Sequence, residues 1–89
     1  MAQTLDDLLD ALEDVDDATR EEASKALAEL ADPTTLDALV GACGDEYWAV
    51  RAHAGRGLSK IGGAKATESL IVLFNDSIMD VRNDAVAAM

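Results

Sequence analysis

Apolar positions recur along this chain at helical spacing. Val50, Ala54, Gly57, Leu58 and Ile61 follow the i, i+4, i+7, i+8 stripe of a buried helix face. Leu36, Leu39, Val40 and Cys43 form a second stripe, and Leu70, Ile71 and Phe74 begin another like it. Asp45 and Asp76 precede two of the segments and suit the N-cap, where a carboxylate accepts orphaned backbone N–H groups. Gly62-Gly63 reads as a left-handed stop, whereas Asp32-Pro33 ends the preceding copy and suits Pro33 to opening the next helix. The pattern predicts six helices near 4–13, 17–31, 34–43, 46–61, 65–74 and 78–88.

A shift of 31 residues lays the chain on itself without a gap. Asp14, Asp45 and Asp76 coincide, as do Arg20, Arg51 and Arg82, and Ala23, Ala54 and Ala85. Thr19 falls on Val50 and Val81, Leu27 on Leu58 and Met89, and Leu8 on Leu39 and Leu70. Apolar positions stay apolar throughout, with Thr19 the exception. A helix pair of this size cannot bury its stripe alone, so successive pairs must stack. The expected fold is an all-α, right-handed α-α superhelix of about six helices. It reads as a single domain over 1–89, with units at about 1–13 plus 14–44, 45–75 and a partial 76–89. Alanine at the centre of each first helix is expected to let neighbours pack closely.

Charge adds an asymmetry. Of 18 acids, 14 lie in residues 1–46 with two bases, a net of −12; residues 47–89 carry four acids and five bases, a net of +1. Asp outnumbers Glu twelve to six and only three Lys occur, a composition similar to that of proteins from extreme halophiles; an ordinary acidic protein is the alternative. The overall −11 opposes nucleic acid, and no apolar run is long enough to span a membrane. The first 30 residues are acidic where a signal peptide is basic and apolar, so a cytoplasmic protein is expected.

The run Asp45-Glu-Tyr-Trp-Ala-Val-Arg51, followed by Ala54, Leu58, Ile61-Gly62, Ala66 and Leu70, resembles the HEAT-like repeat of the phycobilisome-lyase type. Asp76-Ser-Ile-Met-Asp-Val-Arg82 with Ala85 begins another copy. The first copy departs from the pattern at Thr19 and at Ala31-Asp32-Pro33. The resemblance implies that Asp45, Asp76, Arg51 and Arg82 form a structural ladder, each arginine reaching acidic groups of adjacent units. It also implies that the second helices line a concave face. A protein-interaction or assembly module is the function expected; the alternative is a bilin- or tetrapyrrole-lyase relative, or part of a larger HEAT-repeat enzyme. No histidine, arginine or tyrosine cluster that would hold propionates is legible.

No catalytic, cofactor-binding or metal-binding set is assembled in the sequence. His53 lacks the following glutamate of the iron-binding His-Glu steps in HEAT-like hydroxylases and reads as a flank residue. Cys43 aligns with Leu12 and Phe74 and reads as buried and inert. Tyr47 and Trp48 are candidate partner anchors, the alternative being a cover over the junction between units. Asp6, Asp37 and Glu68 fall in one register and should form a carboxylate ridge suited to a cationic protein partner; the alternative is that they complement helix dipoles, with Thr4…Asp7 and Thr34…Asp37 as capping boxes. The closing Ala85-Val-Ala-Ala-Met89 is all apolar, which points to Val86 and Met89 in a homodimer joined through the last helix.

Overall fold

Local capping chemistry fixes where the chain turns into helix. In a computed structural model that describes residues 4–88, the Thr4 hydroxyl accepts the Asp7 N–H and the Asp7 carboxylate accepts the Thr4 N–H, both at 3.1 Å. This reciprocal box opens α1 (Leu5–Ala11) as expected. Asp16 caps α2 (Asp17–Leu30) by accepting from the Thr19 N–H at 3.1 Å. That helix ends on Ala31 in the left-handed helical region at φ 48° and ψ 41°, a stop made without glycine. Asp32 then accepts the Thr34 N–H at 2.8 Å and opens a 3-10 turn, Pro33–Thr35, leading into α3 (Leu36–Ala42). With Thr34 committed to Asp32, the expected Thr34…Asp37 capping box does not form.

The two repeat aspartates also differ from their expected role. The cap residue of α4 (Trp48–Ile61) is Tyr47, which makes no side-chain capping bond. Asp45 lies two residues earlier and accepts the Tyr47 N–H at 2.9 Å; Asp76 does the same for Ile78 ahead of α6 (Met79–Ala88). Each carboxylate closes a turn before the helix and is drawn aside by an arginine of the preceding unit. Gly62 and Gly63, at φ 76° and 94°, end α4 as predicted, and α5 (Ala64–Leu73) follows.

The six α-helices form two layers. Helices α2, α4 and α6 lie side by side, with α1, α3 and α5 packed behind them. Between the layers, Leu8, Leu27, Leu39, Val50, Ala54 and Leu58 form one buried cluster; Ala52, Leu70, Leu73, Val81 and Ala85 form the next. The alanine positions are all buried, Ala23 and Ala85 at 2% exposure and Ala54 at 0%. Ala54→Leu is expected to overpack this centre and lower stability by about 1–3 kcal/mol. An unchanged thermal midpoint would contradict the register.

The layers are not equally tight. At Gly57 of α4 a Cβ would stand only 3.1 Å from the Ala28 Cα of α2. By contrast, a cleft of about 440 Å3 runs beside α1 and α3.

Candidate functional site

Arginine geometry defines the most ordered polar feature. Arg20 reaches 25 residues forward to Asp45, donating from Nε at 3.0 Å and from a terminal nitrogen at 3.2 Å. Arg51 grips Asp76 in the same bidentate way at 2.7 and 3.0 Å. Each arginine also donates six residues back to a carbonyl: Arg20 to Asp14, Arg51 to Asp45 and Arg82 to Asp76, at 2.9, 2.8 and 2.7 Å. The planar fork of arginine supplies both sets of bonds at once, which the ammonium of lysine would not match. These contacts keep the Arg51 guanidinium above its ordinary value and hold the Asp76 carboxyl below the usual range, chiefly through the bonds between them. Asp45, Arg51, Asp76 and Arg82 thus occupy a ladder linking loop to loop.

The expected ridge is only partly assembled. Asp37 lines the cleft with Leu9, Leu12, Glu13, Ala38 and Asp45, whereas Asp6 and Glu68 do not. Asp37 remains 82% exposed and pairs with Lys65 of the following unit. Asp6 lies in the first turn of its helix, where it meets the positive end of the dipole; Glu68 lies beyond the first turn of α5. Tyr47 packs against the first core cluster, and Trp48 is 39% exposed with its ring edge-on to Tyr47 at 6.2 Å. Neither aromatic lines the cleft.

Cys43 sits against both core clusters, and burial pushes its thiol up to about 11, so it stays a protonated thiol at neutral pH. Val86 is exposed, but Ala85 beside it is buried, and Asp80 and Asn83 share the exposed surface of α6. Met89 lies outside the described residues. Among the described residues no group of three or more His, Cys, Asp or Glu is placed to hold a metal, and no helix is long and apolar enough to cross a membrane.

One cluster escaped the sequence reading. His53 accepts from Arg56 through Nδ1 and places Nε2 3.7 Å from Glu21 of α2. Burial first, and then the Arg56 charge, lower its pKa and favour the neutral ring. Lys25, Arg56 and Lys60 border a common hollow beside it. Lys25 and Arg56 are related by the same 31-residue offset as the ladder, which is the signal that would have found them.

Two antiparallel layers, a repeating core and an arginine–aspartate clasp between successive loops define an α-solenoid repeat protein. The pattern of HEAT repeats matches residues 5–89, and the chain belongs to that family. No curated protein matches it. Among solved structures it is similar to the complex of CpcE and CpcF of phycocyanin lyase from Nostoc sp. PCC7120. That likeness has 26% identity and a TM-score of 0.87, covering 99% of this chain and 36% of that one. Two engineered proteins are similar at 22% and 23% identity, with TM-scores of 0.73 and 0.72. Each of those matches covers 98% of this chain, and 44% and 45% of the engineered chains respectively.

Proposed function

We propose that this chain is a protein-interaction or assembly module whose cleft beside α1 and α3 receives a cationic segment of another protein. The observation that carries the reading is the make-up of that cleft. Leu9, Leu12, Ala38 and Ala42 give it an apolar floor, and Glu13 and Asp37 give it carboxylates, the Asp45 carboxylate at its border being held by Arg20. Gly41 borders it with open space where a side chain would stand. An amphipathic segment with lysine or arginine on one face and aliphatic groups on the other matches both features. The N-terminal half, at −12, would also steer a cation toward this side.

A fluorescent peptide of alternating lysine and leucine tests the reading at about 0.15 M salt. Saturable binding is expected, weakened about fivefold by Glu13→Gln combined with Asp37→Asn. Lys65→Gln, which frees Asp37 from its intramolecular partner, should tighten it. Absence of saturable binding, or indifference to the carboxylate changes, overturns the reading. Self-association through α6 belongs to the same class of function, with Met79 and Val86 each 61% exposed; light scattering at high protein and salt concentration tests it.

A second reading, a role related to bilin attachment, is favoured by the likeness to the CpcE and CpcF complex of phycocyanin lyase. The chain spans about a third of the length of that relative. Mixing with phycocyanobilin and following visible absorption tests this reading, and an unchanged spectrum removes it.

A further inference from the structure

The seven lysines and arginines divide into two groups by what they touch. Arg20, Arg51 and Arg82 are taken up by the ladder, and Lys65 pairs with Asp37. Lys25, Arg56 and Lys60 have no carboxylate within ion-pairing distance among the described residues. The chain has 18 acids with which to neutralise them, yet it leaves these three unpaired. They also converge. Lys25 from α2 and Arg56 and Lys60 from α4 border one hollow of about 80 Å3 with Ala28 and Glu29. Arg56 and Lys60 also border a second hollow of about 270 Å3, completed by Ser59, Asp84, Ala87 and Ala88 of α4 and α6. Arg56 and Lys60 border both hollows, one between α2 and α4 and the other between α4 and α6, and the pair makes a shallow double trough across three helices.

Two further features shape the trough. The Arg56 guanidinium contacts His53 Nδ1 one turn earlier on α4. The floor carries Ala28, Ala87 and Ala88, while Glu29 and Asp84 border the ends. We propose that this trough docks an acidic segment of a partner protein, its carboxylates meeting Lys25, Arg56 and Lys60 and its small apolar side chains lying on the alanines. The segment is short, because Glu29 and Asp84 repel carboxylates beyond the three cations. A phosphate backbone is a poorer match, since its charges continue past the trough into the field of a chain carrying −11. This surface is distinct from the acidic cleft beside α1 and α3 and independent of the cationic-segment reading.

Titration of a fluorescent peptide of alternating glutamate and alanine into the whole chain tests the proposal at about 0.15 M salt, where long-range repulsion is screened but contact pairs survive. Saturable binding is expected. The double variant Arg56→Gln/Lys60→Gln should weaken it about tenfold with unchanged circular dichroism, both residues being exposed. Lys65→Gln, on α5 of the other layer, should leave it unchanged, which separates this trough from the cleft. No saturable binding, equal weakening by Lys65→Gln, or tighter binding of an oligothymidylate with as many charges would each overturn the proposal.

Discussion

Arg51→Ala is expected to lower folding stability by about 2–4 kcal/mol, read from the urea midpoint at constant slope. The side chains of Arg51 and Asp76 are 13% and 8% exposed, and Arg51 also donates to the Asp45 and Glu46 carbonyls. Truncation leaves the Asp76 carboxylate without its bidentate partner and two loop carbonyls without their donor. Arg82→Ala is the matched comparison. Arg82 occupies the same repeat position but makes one bond, to the Asp76 carbonyl, among the described residues, so a loss of about 1 kcal/mol or less is expected. Equal losses would deny the bidentate clasp its role. The same clasp sets a pH dependence. Because the folded Asp76 carboxyl lies below its ordinary value of 3.8, its contribution is complete above that pH and is lost as pH falls through the depressed value. Arg51→Ala should flatten this part of the acid limb.

Gly57→Val is expected to lower stability by about 3 kcal/mol, because α2 and α4 touch at this point. A Cβ there meets Leu39 Cδ1 at 2.9 Å, the Ala28 Cα at 3.1 Å and the Ala28 Cβ at 3.4 Å. The Leu39 methyl can rotate away; the Ala28 backbone cannot move without shifting the helix. Gly57→Ala should lose less, since its gain in helix propensity of about 1 kcal/mol offsets part of the strain. Gly55→Ala is a sharper comparison two residues earlier on the same helix. Its new methyl would meet Leu73 Cδ1 at 2.9 Å and Leu70 Cδ2 at 3.6 Å, both ends of flexible side chains. A change of at most about 0.5 kcal/mol is expected there. Thermal melts of the three variants separate a backbone contact from a side-chain contact. Equal tolerance at both glycines would mean that the layer is looser than its geometry.

The periodic part of the fold was legible because it is local and repeated. One offset of 31 residues aligned Ala23, Ala54 and Ala85, all of which are buried. The roles of Asp45 and Asp76 were half legible. Their place before a helix suggested a cap, but a partner 25 residues earlier in the chain redirects each carboxylate. Thr34 was misassigned for a related reason: Asp32, two residues away, offered its N–H and hydroxyl a nearer acceptor than Asp37 did. The Lys25–Arg56 pair was present in the register, but Lys60 aligns with Glu29 and His53 with Glu22, so the cluster was hidden by position-by-position comparison.

The ladder reaches back six residues and forward 25, and so ties each loop to the next. No interior unit can leave the stack without opening a clasp on each side. Helix α4, flanked by α2 and α6 and holding Arg51, is therefore expected to show the strongest protection in hydrogen exchange. The clasps act as the teeth of a zipper, and a partner that held two neighbouring teeth together would slow the unravelling of the whole.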